Sequence, residues 1–266
     1  MFDASIVIPV YNQLEYLKKV LYGYEYQSYN KELFEVIVID DGSTDGLDRI
    51  KNFSDLIPSA TINCKLIHTH NWGRSAARNE GIRVAESNII IFNDADRIPE
   101  IDYIKKHLER QKHNDVVIGN SKNIWREISK ITFPVNPDDR YIRESNYFSK
   151  IKSLCNDPDF YMNYRWLALL IGNASIKRES IINSGGFDEH FINWGLEHFD
   201  LGLRLQENNV HFIIDSAIEN YHIPHNRNNK DNFNNALLHL EYLSIKYGHL
   251  DFSKIYEYLF SGGIEK

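Results

Sequence analysis

Short runs of β-branched residues separated by stretches of helical periodicity constrain this chain more than any other feature. Ser5–Val10 and Phe34–Ile39 are continuous and apolar, as fully buried strands are, and Lys65–His68 is a third, weaker run. Between the first two, Leu14, Leu17, Leu21 and Tyr24 recur at helical spacing. Arg74–Ala85 reads as a helix, Asn88–Asn93 as another buried strand and Asp115–Gly119 as a further one. Pro99 suits the first position of a helix whose Ile101, Ile104 and Leu108 share a face. Strands alternating with helices predict an α/β fold: a mainly parallel central sheet with helices on both faces.

From about Ser121 the pattern loosens. Segment 121–165 is rich in Asn, Asp, Arg and Tyr, contains Pro134, Pro137 and Pro158, and reads as long connecting structure. A helix is expected from Glu197 to Leu205. Another is expected over Phe233–Tyr247, with Leu237, Leu240 and Tyr247 at helical spacing, and a short one over Ser253–Leu259. No internal repeat or low-complexity linker divides the chain.

Charge and cysteine content narrow the function. The 30 basic and 37 acidic residues leave a net charge of −7, and no Lys/Arg cluster stands out, so nucleic acid is a poor partner. Two cysteines, Cys64 and Cys155, sit far apart and outside any metal-type spacing. The first residues lack the basic start and long apolar run of a signal peptide, and no apolar stretch approaches the ~20 residues of a membrane span. A soluble, cytoplasmic protein without a transmembrane segment is expected.

Ligands of open parallel sheets bind beyond the carboxyl ends of the strands. The first strand here is followed by Tyr11 and Asn12, the second by Asp40 and Asp41, the fourth by Asp94, Ala95 and Asp96. Two acidic pairs on one rim are costly unless a cation or hydrogen-bond donors compensate them. Asp94-Ala95-Asp96 on a turn can offer oxygen ligands to Mg²⁺ or Mn²⁺, although Asp is also favoured in turns for its own sake. Pro9-Val10-Tyr11-Asn12 contains no glycine, which argues against a nucleotidyltransferase phosphate loop and against a dinucleotide-binding fingerprint.

The motifs SIVIPVYN, VIVIDDGSTD, GRSAARNEGI and the strand ending in DAD, in this order and spacing, resemble a family-2 glycosyltransferase with the GT-A nucleotide-sugar-binding fold. GNASIKRE and GGFDEHFINWGLEHFDLGLRL are similar to the second half of chondroitin-polymerase-type and galactosyltransferase-type enzymes. The resemblance covers residues 4–227. It suggests a domain over 1–227, with a nucleotide-sugar half at 1–120 and an acceptor half at 121–227, followed by a helical appendage at 228–266.

The same resemblance implies a metal-dependent, inverting transfer of a sugar from a nucleotide diphosphate donor, most naturally UDP, to a hydroxyl of a saccharide or other acceptor. A role in polysaccharide biosynthesis would suit such an enzyme by analogy. It implies a donor-binding set of Pro9, Tyr11, Asn12, Asp40, Asp41, Arg74, Arg78, Asn79, Asp94 and Ala95. Tyr11 would stack on the base, Asp41 together with Asp40 would accept from a uracil imide, and Arg74 would contact base or phosphate. Arg78 reads equally well as a structural ion pair. Asp96 would ligate Mn²⁺ or Mg²⁺, with Asp94 near the metal's shell and the ribose. A partner ligand falls in the Tyr221–His225 segment: His222 is favoured and His225 held as the alternative, because an extended spacing of three puts them on opposite faces.

Trp194, Gly195 and Glu197 would face the acceptor, while Asp200 and Arg204, one helical turn apart, read as an ion pair. One position departs from the pattern. The relatives carry Asp after the Glu of Trp-Gly-X-Glu-Asp and use it as general base, whereas this chain has His198. Imidazole can accept a proton at physiological pH. Glu197, if burial raised its pKa, could serve too, and it is placed first with His198 second. A catalytically silent nucleotide- or sugar-binding protein of the same fold is the alternative reading.

Overall fold

In the computed structural model, β1 (Ala4–Val10), β2 (Phe34–Asp40), β3 (Asn63–His68) and β4 (Ile89–Asn93) form a parallel array in the order β3-β2-β1-β4. Residues 1–58, 60–225, 229–250 and 252 are described. The sheet continues through β8 (Asn173–Lys177), β6 (Val116–Ile124), β9 (Phe212–His222) and β5 (Arg97–Pro99), with β7 (Ile142–Arg143) pairing β6. β8 runs antiparallel to both β4 and β6, and β6 is parallel to β9. No break separates the first half of the chain from the second.

Alternation along β1 sends Ile6, Ile8 and Val10 to one face and Val7 to the other, so each face nucleates its own core. Ile6 and Ile8 pack with Leu17 and Leu21 of α1 (Leu14–Glu25), the apolar stripe read from the sequence. A short helix, α2 (Phe53–Leu56), precedes β3. Val7 packs with Ala77 of α3 (Arg74–Val84) on the opposite face. Each fully buried Ile or Leu contributes roughly 1.5–3 kcal/mol against conformational entropy.

Three expectations change. Pro99 does not begin a helix. It ends β5, an edge strand that tolerates a missing amide, and α4 (Tyr103–Gln111) starts later. Segment 121–165 is more ordered than its composition suggests: it holds the end of β6, then β7, α5 (Asn146–Cys155) and α6 (Pro158–Tyr164). Phe148 and Ile151, three residues apart, are the buried face that its polar residues obscure. β9 has no counterpart in the sequence reading, because Asp215 and Ser216 interrupt its apolar run where the pairing with β6 shifts register after Gly119.

After α7 (Arg178–Asn183) and α8 (Glu197–Glu207), the chain ends its described part with α9 (Asn229–Lys246). The buried stripe of α9 is Ala236, His239 and Leu243, continued by Tyr247, while Leu237 is exposed. Leu243 and Tyr247 belong to the same core as β4 and α8, so α9 is built into the domain. The short helix expected over 253–259 lies outside the described residues. Among the described residues no helix is long and apolar enough to cross a membrane.

Candidate active site

The carboxyl ends of β1, β2 and β4 open onto one cleft of about 640 Å³, a volume suited to a small ligand. Pro9 near the end of β1, with Tyr11 and Asn12 just beyond it, lines the wall, and Tyr11 is 47% exposed, which leaves its ring accessible for stacking. Asn12 has a left-handed backbone (φ 52°), and its Oδ1 accepts from the Thr44 amide at 2.7 Å, so its side chain ties the β1 turn to the β2 turn.

Asp41 lines the cleft, while Asp40 does not. Successive residues at the end of a strand point to opposite sides. Asp40 accordingly accepts from the Ser43 amide and pairs with His68 at 2.7 Å, which gives His68 its structural role. Asp41 accepts from the amides of Trp72 (2.8 Å) and Gly73 (3.0 Å). Burial nonetheless pushes its carboxyl up. Asn79 also turns away from the cleft: it donates to Phe187 O at 2.9 Å and accepts from the Phe187 amide, pinning the turn at Gly185–Phe187.

Arg78 is the most informative side chain of the site. It is 1% exposed, and its guanidinium donates to Asp94 Oδ1 at 3.1 Å and to Glu197 Oε1 at 2.9 Å. The first carboxylate follows β4 and the second opens α8, so one cation joins the two ends of the site. Arg97, which sequence reasoning passed over, holds Asp94 from the other side, Nε to Oδ2 at 3.1 Å, and reaches Ser121. Burial pushes Asp94 up, but the two guanidiniums outweigh it and hold the carboxyl below its ordinary value. With one arginine on each oxygen, the Asp94 carboxylate is held in a fixed orientation, and it lies outside the cluster formed by Asp96, His222 and His225. Gly172 makes this packing possible, since a Cβ there would stand 2.5 Å from Arg97 Nε and closer still to Asp94 Oδ2.

Asp96 meets both histidines. Its Oδ2 lies 2.9 Å from His225 Nε2 and 3.4 Å from His222 Nε2. The expected opposite-face arrangement fails because β9 ends at His222. The Ile223 amide then donates to Asp96 O at 2.8 Å, and the chain leaves the extended conformation before His225. Burial raises Asp96, yet the two imidazoles hold it well below the usual carboxylate range. His222 Nδ1 meets Asn123 Oδ1 at 2.9 Å, a contact that orients the ring with Nε2 toward Asp96. One carboxylate oxygen and two ring nitrogens within 4.8 Å suit a divalent cation that accepts mixed nitrogen and oxygen ligands.

The segment that leads into α8 reaches the cleft through two left-handed residues, Gly195 (φ 114°) and Leu196 (φ 67°). Leu196 caps α8 and is buried, a conformation that costs a branched residue roughly 1–3 kcal/mol. Trp194, half-buried, Glu197 and His198 line the cleft there, and Arg74 stands 3.8 Å from Glu197. The expectation that burial would raise Glu197 is reversed. Burial does push it up, but the His198 ring with Arg74 and Arg78 holds it well below the usual range. Its Oε2 has no hydrogen-bond partner among the described residues and lies 3.9 Å from His198 Nδ1. Asp200 and Arg204 form the expected pair at 2.5 Å. Ala95 is buried at the cleft floor. Besides Arg97, the cleft also takes in Gln13, Leu170, Ile171 and Asn232, which no local motif marks.

Residues 5–171 match Glycosyl transferase family 2, and residues 152–226 match the family described as the N-terminal domain of galactosyltransferase. The chain is 28% identical to the uncharacterized glycosyltransferase YfnE of Bacillus subtilis, over 93% of this chain and 71% of that one. It is 25% identical to the chondroitin synthase of Escherichia coli, over 82% of this chain but only 34% of the relative. Among solved structures, S. aureus TarS 1–349 in complex with UDP-GlcNAc superposes with a TM-score of 0.62 at 18% identity, covering 97% of this chain and 70% of that one, a likeness of fold.

Proposed function

The chain belongs to glycosyl transferase family 2, and from that premise we propose that it moves a sugar from a uridine diphosphate donor to an acceptor hydroxyl, with inversion and with a divalent cation. The observation that carries this reading is the single cleft running from Tyr11 and Asp41, past Asp94 and Asp96, to Trp194 and His198. An aromatic face and a carboxylate suit a uracil ring; a carboxylate with two imidazoles suits the cation; a tryptophan beside a proton acceptor suits a sugar hydroxyl. TarS, of the same fold, has been solved with UDP-GlcNAc, which favours uridine.

Asp96, His222 and His225 would hold Mn²⁺, or less readily Mg²⁺, since imidazole nitrogens fit the former better. Bound there, the cation would neutralise the departing diphosphate. Asp94, gripped by Arg78 and Arg97, would present a rigid acceptor to the ribose rather than a ligand to the metal. Proton removal from the acceptor is assigned to His198. Glu197 is held ionised by its arginines, so it is the weaker base, and its Oε2 beside His198 Nδ1 would stabilise the imidazolium once formed.

Calorimetric titration of UDP with and without Mn²⁺ tests the reading. Asp96→Ala should remove only the Mn²⁺-dependent gain in affinity. Tyr11→Ala should weaken binding in both conditions, by about 1–3 kcal/mol if stacking is lost. A wild-type protein that binds UDP no better than other nucleoside diphosphates, or a Tyr11→Ala effect confined to the metal-dependent part, would overturn it.

A further inference from the structure

Four residues of the last described helix, and Tyr247 just beyond it, point one way. Asn232 lines the cleft, and Ala236, His239, Leu243 and Tyr247 follow it along the buried stripe of α9. That stripe packs on the acceptor-side segment. A Cβ on Gly195 would stand 3.7 Å from Ala236, and the His239 ring lies 5.0 Å from that of Phe191. His239 Nδ1 donates to Gly195 O at 2.7 Å. Further along, Tyr242 and Lys246 bond Asp188 at 2.8 and 2.6 Å, while Lys246 and Tyr247 bond the fully buried Asp200 of α8 at 2.6 and 2.8 Å.

The Gly195 carbonyl belongs to the peptide that joins two left-handed residues. Its orientation decides where Leu196 stands, and the Phe199 and Asp200 amides both donate to Leu196 O to begin α8. A bond to that carbonyl therefore sets the position of Glu197 and His198. We propose that His239 is a positioning residue: through Gly195 it holds the strained turn that aims His198 into the cleft, and α9 is thereby a wall of the acceptor site. This rests on the transferase reading for its functional half but not for its structural half.

The experiment compares the full chain with His239→Ala and with His239→Asn, whose amide nitrogen can replace Nδ1 as donor. Hydrogen exchange is followed by mass spectrometry, UDP·Mn²⁺ affinity by calorimetry, and UDP release from UDP-glucose in the absence of acceptor by coupled assay. In His239→Ala, exchange of the amides over 196–200 should quicken at least tenfold while the peptides of β1, β2 and β4 stay unchanged. UDP affinity should stay within twofold and hydrolysis fall at least tenfold, and His239→Asn should restore both exchange and hydrolysis. Unchanged exchange at 196–200, a uniform rise throughout the sheet, or no recovery in His239→Asn would overturn the proposal. If the wild-type protein binds no nucleoside diphosphate, the transferase reading has failed, and the exchange pattern still decides the role of His239.

Discussion

Replacing Arg78 by methionine, similar in length and uncharged, should unbalance the site in a way that depends on pH. Arg78 is nearly inaccessible and compensates two carboxylates, of which the Glu197 side chain is 3% exposed and that of Asp94 29%. Solvent shields the second, so Glu197 dominates. Removing one partner of a buried ion pair costs about 3–5 kcal/mol, since the other charge stays buried. For a chain of this size that is a fall of about 6–20 °C in melting temperature. The sign with pH follows from linkage. In the wild type the Glu197 pKa is depressed, so its contribution is present above the unfolded value near 4.5 and is lost as pH falls through the folded value. Without Arg78 the carboxyl moves up from that depressed value, although His198 and Arg74 still hold it down, and its charged form is less stabilised. The gap between Arg78→Met and wild type should be widest at pH 7–8 and narrow as pH falls below the ordinary carboxylate value of 4.5. Urea denaturation at pH 3, 4, 5 and 7 reads it directly. A gap under about 1 kcal/mol at pH 7, or one that does not narrow toward pH 3, would refute the reasoning.

Two further substitutions probe the site. Gly172→Ala should force Arg97 and Asp94 apart, costing about 1–3 kcal/mol by denaturation and weakening UDP binding, whereas good tolerance would mean that this contact relaxes freely. His198→Gln should leave UDP·Mn²⁺ affinity intact and remove nearly all UDP-glucose hydrolysis, while Glu197→Gln lowers it less; the reverse order in a coupled assay would return the base to Glu197.

The first, second and fourth strands were legible because each is a short β-branched run, the third only as a weaker one, and the rim of the cleft was legible because carboxylates follow the second and fourth. What escaped depends on contacts distant in sequence. β9 hides behind Asp215 and Ser216, whose place is explained only by the register shift against β6. His225 looked misplaced while the chain was taken to run extended, and the Ile223–Asp96 bond is invisible in one dimension. Asp40 and Asp41 are alike as letters, and only strand alternation tells the one that holds His68 from the one that faces the cleft. Arg97 follows Asp96 directly in the sequence, yet its hold on Asp94 requires the space that Gly172 brings from β8's end of the sheet.

β8 lies antiparallel between β4 and β6, pairing Ile89–Asn93 with Asn173–Lys177 residue for residue. This seam joins the strands that lead to Tyr11, Asp41 and Asp94 to the strand that ends at His222, in one continuous plate. Opening the cleft by swinging the two sets of strands apart would require unzipping that ladder, so among the described residues the sheet offers no hinge there. Movement at the cleft is left to the turns at its rim, above a plate that keeps its shape.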